Sequence, residues 1–320
     1  MKRSGSELNQ RRKRMTEPSQ TIRSGMIAVV GAANVGKSTL VNAIVGEKVT
    51  IVSPVVQTTR NLIRAILTEP RGQLVFLDTP GVHKAKQDLG KLMNRMARGA
   101  AEGVDVILLM LDGSRPPREE DEGWMRRLLR PDSEGHVILA VNKCDKDHDY
   151  MADYEAAWKS LLEEKQRQRS VEWRRISAAT GEGVEALTAR LFEQVPLGPY
   201  LFPADVLTDY PRNLAISDMI REKYVVQLKD ELPHAIAIAI DDIGEQTDGG
   251  WNVKGTVYVN RPSQKGIVLG AKGRLLKSVC QAAGKELSEI YERPVRISLW
   301  VKCEKDWARN FWMLKKLGYA

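Results

Sequence analysis

The segment GAANVGKS, Gly31 to Ser38, constrains the fold more than any other stretch of the chain. It follows an apolar run, Met26–Val30, and a helical pattern opens at Lys37. The spacing G-x-x-x-x-G-K-S in a strand–loop–helix context forms a phosphate cradle. Gly31 and Gly36 let the backbone of Ala32, Ala33, Asn34 and Val35 curl so that successive N–H groups face an anion at a helix N-terminus, together with those leading to Thr39. Lys37 then reaches the outer phosphates, and the Ser38 hydroxyl is placed to ligate Mg²⁺. The alternative is a plain Gly-rich turn before a helix, and the strand–loop–helix context argues against it.

The rest of the first 199 residues fits such a loop. Apolar runs at Leu74–Leu77, Val104–Leu111, Val137–Val141 and Val171–Ile176 alternate with helical patterns near Glu119–Arg130, Tyr150–Arg167 and Val184–Val195. Strands alternating with helices predict a mostly parallel, doubly wound α/β sheet, with its sites at the carboxyl ends of the strands. At those ends stand the remaining motifs. Leu74–Leu77 delivers DTPG, Asp78, Thr79, Pro80 and Gly81, where Asp78 faces the metal and the Gly81 amide approaches the γ-phosphate. QTTR, Gln57 to Arg60, offers a further hydroxyl for Mg²⁺, with Thr59 favoured over Thr58. Val137–Val141 ends in NKCD. There Asp145 can accept from guanine N1–H and the exocyclic amine, Asn142 addresses N7 and pins the loops, and Lys143 lays its stem along the base. SAATG then supplies Ser177 to order the loop and the Ala178 N–H for guanine O6. Adenine offers no such donor pair, so the set points to GTP.

Pro196–Pro211 holds four prolines in sixteen residues and separates a different pattern. Asn213–Leu228 is helical, His234–Ile243 and Asn252–Val259 alternate with period two, and Gln264–Leu269 and Arg274–Ile290 are helical. The last of these has Leu276, Val279, Ala283, Leu287 and Ile290 as its buried stripe. Val295–Val301 alternates again, and a final helix spans Asp306–Leu317 with Trp307, Phe311 and Leu314 on one face. This is a separate α+β unit. Four regions are therefore expected: a disordered basic tail, 1–25; a nucleotide domain, 26–199; a linker, 200–211; and a second domain, 212–320, with its C-terminal helix.

Charge is distributed unevenly between them. The chain carries +8, of which +5 lies in residues 1–25 and +3 in 201–320, while 26–200 is neutral. The stretch 261–277 holds Arg261, Lys265, Lys272, Arg274 and Lys277 without an acid. Basic ends on a neutral body suggest a polyanionic partner. A membrane span would need about 18 consecutive apolar residues, and none occurs. Three scattered cysteines suit reduced thiols better than a disulfide or zinc framework. Cys144 takes no redox role. Translation could start at Met1 or Met15.

GAANVGKS, TT, DTPG, NKCD and SA together resemble a translation-factor-class GTPase. Within Lys265–Lys277, Gly270-Ala271-Lys272-Gly273 between two helices resembles the GxxG loop of a type II KH RNA-binding domain. The combination is similar to the Era family, bacterial GTPases of small-subunit ribosome assembly, over about 26–320. The resemblance implies a P-loop GTPase domain followed by an α+β type II KH domain, and a GTP/GDP switch that hydrolyses GTP. It further implies small-subunit rRNA, through its single-stranded 3′ end, and the small ribosomal subunit as partners, with a role in assembly and rRNA maturation. Gly270, Ala271, Lys272 and Gly273, flanked by Lys265, Arg274 and Lys277, would meet the RNA backbone. Ile267, Val268 and Leu269 would line a base groove or simply the core. Trp300, Trp307, Phe311 and Trp312 are read as core or packing ahead of stacking platforms.

The cofactors expected are Mg²⁺, held by Ser38, Thr59 and Asp78, and K⁺. Val82 follows DTPG where many small GTPases carry a water-orienting glutamine, so intrinsic hydrolysis is expected to be slow or organised by another group; the resembling family also carries an apolar residue here. His83 is read as a surface loop residue rather than a general base. Transition-state charge would fall to Lys37, Gly81 and Asn34, the last standing where relatives place a K⁺-ligating asparagine. We expect a cytoplasmic monomer, with peripheral contact to an anionic membrane on the cytoplasmic face of the inner membrane. Two other readings stay open: a passive RNA-binding module with a vestigial nucleotide fold, against which Lys37, Ser38, Asp78, Asn142 and Asp145 argue, and a membrane-surface GTPase using its basic tail and C-terminal helix.

Overall fold

The computed structural model describes residues 22–52, 59–81, 88–131, 133, 135–229 and 231–319. Six strands form the first sheet: β1 (Arg23–Gly31), β2 (Ile63–Glu69), β3 (Gly72–Asp78), β4 (Val106–Asp112), β5 (His136–Asn142) and β6 (Glu172–Arg175). Their spatial order is β2-β3-β1-β4-β5-β6, parallel except for β2, which runs antiparallel to β3. The helices are α1 (Lys37–Val45), α2 (Asp88–Gly99), α3 (Glu119–Leu128), α4 (Met151–Lys165) and α5 (Val184–Gln194). Strand residues alternate between two apolar layers. Ile27, Val29, Leu108 and Met110 pack against α1 and α5, whereas Ala28, Val30, Leu109 and Leu111 pack against α3 and α4. Near-continuous apolar strands suit a sheet covered on both faces.

Three features differ from the sequence expectation. Strand β1 starts at Arg23 rather than Met26, because Arg23 and Ser24 pair with Gly72 and Gln73 and donate to Arg71 O and Pro196 O. So 22–25, assigned to the disordered tail, are ordered; residues 1–21 of that tail lie outside the described residues. Strand β2 and helix α2 were not anticipated. The run IRAILTE lacks strict alternation, and pairing with β3 on one side and the 200–211 connector on the other organises it. That connector is bound rather than free. Gln73 Oε1 accepts from the Leu201 and Phe202 amides at 2.8 Å, and Ile66 N donates to Leu207 O at 2.9 Å.

The second unit comprises α6 (Arg212–Gln227), a single turn α7 (Leu232–Ala235), β7 (Ala237–Glu245), β8 (Trp251–Val259), α8 (Pro262–Leu269), α9 (Arg274–Ile290), β9 (Val295–Cys303) and α10 (Phe311–Lys316). Its sheet is ordered β7-β8-β9, antiparallel between β7 and β8 and parallel between β8 and β9. This αββααβ order is the anticipated type II KH topology. Ile238, Val253, Val257 and Leu299 form one face of its core, with Ile216, Ile220, Val268, Val279, Ala283 and Leu287 from the helices. The strand expected from His234 instead begins at Ala237, because Pro233 in the first turn of α7 sets up a helical turn. Ile290, placed in the buried stripe, is 42% exposed at the end of α9. Phe311 leaves the face of Trp307 and Leu314: a 3₁₀ turn at Trp307–Arg309 and a cap at Asn310 break the expected single helix, and Phe311 points outward.

Candidate nucleotide site and GxxG loop

The glycine loop sits between the end of β1 and the start of α1. Gly36 has φ 100°, and a Cβ there would lie 2.3 Å from Asn142 Nδ2, so the loop closes against the base-reading strand end only with glycine. Lys37 is 6% exposed, and its ammonium donates to Ala32 O at 2.8 Å and Gly31 O at 3.2 Å. Burial lowers its pKa to about 8, with the charges of Asp78 and Asp121 opposing. An adjacent polyanion would hold it fully charged.

Ser38, Thr59 and Asp78 converge although they are far apart in sequence. Ser38 Oγ donates to Asp78 Oδ2 at 2.7 Å and lies 2.9 Å from Thr59 Oγ1. Asp78 is fully buried at the end of β3, and its Oδ1 has no hydrogen-bond partner. Burial raises its carboxyl to about 6, against the Ser38 hydrogen bond and the Lys37 charge. Two hydroxyls around a buried carboxylate with one unsatisfied oxygen form a hard oxygen set that fits Mg²⁺. Of the two threonines considered, Thr58 lies outside the described residues, as do Gln57, Val82 and His83. Thr79 Oγ1 donates to Val29 O at 2.8 Å, which fastens DTPG to β1. A Cβ on Gly81 would meet Ala33 Cα at 2.6 Å, so glycine permits this turn to lie on the phosphate loop. Ala33, Asn34, Gly36, Lys37, Ser38, Thr39, Thr59, Thr79 and Gly81 line one cavity with Ile51 and Val52.

The elements expected to read the base meet at the ends of β5 and β6. Asn142 Nδ2 donates to Val35 O at 2.8 Å, tying the phosphate loop to this region. Asn142 Oδ1 accepts from Ala178 N at 2.8 Å. The Ala178 N–H, assigned to guanine O6 from sequence, is thus engaged inside the protein and braces Asn142 here. Ser177 Oγ donates to Asp145 Oδ1 at 2.6 Å, and this bond holds the Asp145 carboxyl below the usual range. Asp145 is therefore a fixed, ionised acceptor. Lys143 has positive φ of 71° and donates to Asp112 Oδ2 at 2.7 Å. Asp112 was missed from sequence. Its only signal is its place at the end of β4, in register with Asn142.

On the KH unit, Gly270–Gly273 links α8 to α9 through a 3₁₀ turn in which Lys272 adopts φ 53°. Ala271, Lys272, Arg274 and Lys277 are exposed, while Lys265 is half-buried. Beside them Ile267 is 51% exposed and Val268 is fully buried, which assigns Val268 to the core. Of the four aromatics, Trp307 is core at 0% exposure, whereas Trp300, Phe311 and Trp312 are 53%, 60% and 74% exposed and are not. No group of metal-ligating His, Cys, Asp or Glu occurs among the described residues, and none of their helices is long and apolar enough to cross a membrane.

Comparison with known proteins bears on this arrangement. A family model described as a 50S ribosome-binding GTPase matches residues 26–143, and a KH-domain model matches 231–308. GTPase Era of Geobacter metallireducens is 39% identical over 299 residues, covering 93% of this chain and 98% of the relative. The chain belongs to the Era family of GTPases. Era of Halothermothrix orenii is 35% identical over 93% of this chain and 98% of its own. Among solved Era structures, an Aquifex aeolicus variant bound to GDP·AlF₄⁻ superposes with TM-score 0.85 at 34% identity, covering 93% of this chain and 100% of the other. An Era complex with MgGDPNP and nucleotides 1506–1542 of 16S ribosomal RNA superposes with TM-score 0.86 at 34% identity, covering 93% and 99%.

Proposed function

We propose that this chain is a GTP-hydrolysing switch that binds the 3′ end of small-subunit ribosomal RNA through its KH unit and acts in small-subunit assembly and rRNA maturation. The observation that carries the reading is the coincidence, in one chain, of the ordered guanine clamp Asn142–Asp145–Ser177 with an exposed, basic GxxG loop. The Era relative that holds MgGDPNP together with 16S nucleotides 1506–1542 supports it. In this reading 26–199 is the GTPase domain, 200–211 the connector and 212–320 the RNA-binding domain. Gly31–Thr39 cradles the phosphates, Lys37 neutralises the outer ones, and the Gly81 amide meets the γ-phosphate. Ser38, Thr59 and Asp78 would hold Mg²⁺, which when bound offsets charge on the β- and γ-oxygens. Asn34 would ligate K⁺ beside the β–γ bridge, where added positive charge is worth roughly 10³–10⁵ in rate when an arginine supplies it. RNA phosphates would lie along Gly270–Gly273, with Lys265, Arg274 and Lys277 at the flanks.

Equilibrium binding of GTP, ATP and xanthosine triphosphate tests the nucleotide half, with GTP expected to win; ATP binding as tight as GTP would refute it. Crosslinking to ribosomal RNA, read at nucleotide resolution, tests the other half, and crosslinks away from the 3′ end of the small-subunit RNA would refute that. Single-turnover hydrolysis should be faster in K⁺ than in Na⁺ at equal ionic strength, and Asn34→Ala should abolish the difference. Equal rates in the two salts would remove K⁺ from the mechanism. We place the protein in the cytoplasm as a monomer whose basic N-terminal stretch can touch an anionic membrane. Flotation with anionic vesicles, with and without residues 1–21, tests that contact.

A further inference from the structure

Three consecutive residues leave the metal-facing loop and enter other parts of the molecule. Thr59, Arg60 and Asn61 are all buried, at 7%, 1% and 6% exposure. The Thr59 hydroxyl lies against Ser38 in the nucleotide site. The next side chain crosses into the KH unit. Arg60 Nη1 donates to Ile236 O at 2.9 Å, and Nη2 donates to Pro233 O and His234 O at 3.3 Å. Its guanidinium carbon lies 5.6 Å from the Trp307 ring centroid and 5.9 Å from that of Tyr319. Asn61 Nδ2 donates to the Tyr210 hydroxyl at 2.8 Å, which donates to Asp218 of α6 at 2.8 Å.

We propose that Arg60 is the positioning residue that couples the nucleotide state sensed at Thr59 to RNA affinity in the KH unit. The inference rests on the proposed function and adds the part that transmits. Two features tighten the link: Thr59 and Arg60 share a peptide bond, and three carbonyls hold the planar guanidinium in its docked orientation. The turn it grips, α7, lines a cleft through His234 and Ala235 that Arg261, Pro262 and Gln264 at the start of α8 also line. The other end of α8 is the GxxG loop. A shift of α7 would therefore reshape the cleft at which the helix that presents the RNA loop begins.

The docked state is also poised rather than permanent. The acceptors around Arg60 are carbonyl oxygens and a phenol rather than carboxylates. Its Nε is buried with no hydrogen-bond partner. A desolvated cation that is only partly satisfied makes release accessible. Two states of one element, biased at one end by what Thr59 binds and at the other by what the KH unit binds, are what reciprocal coupling requires.

The test measures affinity for an RNA of 16S nucleotides 1506–1542 in GDPNP and in GDP, with Mg²⁺, for the full chain and Arg60→Ala. The parent should bind the RNA about 5–150-fold differently in the two nucleotide states. Arg60→Ala should bring that ratio to within about twofold of one while its RNA affinity in GDP stays within about threefold of the parent. If Arg60→Ala loses RNA binding in both states, Arg60→Lys takes its place; it keeps the charge but not the fork, and its ratio should also fall by more than half. A parent-like ratio in the deciding variant overturns the proposal and leaves the proposed function intact. Equal affinities in the parent itself overturn nucleotide control of RNA binding, and the proposal with it.

Discussion

The two binding regions of this molecule are built on opposite plans. At the nucleotide end the polar groups are already inside: Lys37, Asp78, Thr79, Asn142 and Ser177 are all at most 6% exposed and hydrogen-bonded to protein. At the RNA end the cations Lys272, Arg274 and Lys277 stand in solvent on the loop and the first turn of α9, where an exposed alanine between half-buried glycines leaves room for a backbone to approach. The first plan pre-orders donors and acceptors and so discriminates by leaving wrong partners unsatisfied. The second gathers charge with little geometric demand, so these cations would add a salt-dependent part to the affinity and leave sequence selection to other groups.

The comparison breaks most visibly at Asp145. Asp145→Asn exchanges a double acceptor for a mixed group, and preference between GTP and xanthosine triphosphate should shift by about 10⁴-fold. Competition binding measures this, and a variant that keeps full guanine selectivity would mean that Asp145 does not read the base. Next in size is a substitution that touches neither ligand. Trp307 is fully buried, donates Nε1–H to Ala235 O at 2.8 Å and packs on Tyr319 and Arg60. Trp307→Ala should cost roughly 3–5 kcal/mol. Phe311→Ala, at 60% exposure, should change stability by less than about 0.5 kcal/mol. Denaturant melts of the two variants check the contrast, and equal losses would put Phe311 in the core.

That pair also shows what sequence could and could not reveal. Trp307, Phe311 and Leu314 fall on one side of a single ideal helix, but Asn310 caps a new one and re-aims Phe311. Helical spacing assumes an unbroken axis. The glycine loop, DTPG and NKCD were legible because each is a contiguous motif at the end of an apolar strand. Arg60 was not. It looks like any loop arginine, and its burial comes from carbonyls some 175 residues away in the chain. The same holds for Asp112, which matters only because β4 and β5 bring it opposite Asn142. Strand β2 escaped because its partners, β3 and the connector, supply the order that its own pattern lacks.

At the RNA loop the effect should be smaller and differently shaped. Changing Ala271 and Lys272 together to Asp should lower RNA affinity roughly 10–100-fold near 0.1 M salt and reduce the steepness of its salt dependence. Aspartate tolerates the left-handed backbone that Lys272 adopts at φ 53°, so the fold should persist. GTP affinity, measured on the same preparation, should not move. Unchanged RNA affinity at matched salt would exclude this loop from the contact.

The smallest effect lies on the seam between the two regions and separates charge from packing there. Lys48, just beyond α1, donates to Glu222 at 2.7 Å and to Glu286 at 2.5 Å on the KH unit, and Lys223 pairs with Glu286 as well. Burial pushes the Glu286 carboxyl up, but the hydrogen bonds from Lys223 and Lys48 outweigh it, so the folded pKa lies below the usual value. A depressed folded pKa adds stability that is present above the unfolded value, near 4.3, and is lost as pH falls through the folded one. The parent should therefore exceed Glu286→Gln in stability by up to about 1 kcal/mol at pH 7, since the group is partly solvated. That advantage should shrink once pH drops below the unfolded value and be lost as pH passes below the folded one. Paired urea melts across this range measure the difference. An advantage that persists unchanged in acid would assign the seam to its apolar contacts, Ile51 against the KH core and Leu89 and Met93 against Trp307 and Leu314, rather than to these ion pairs.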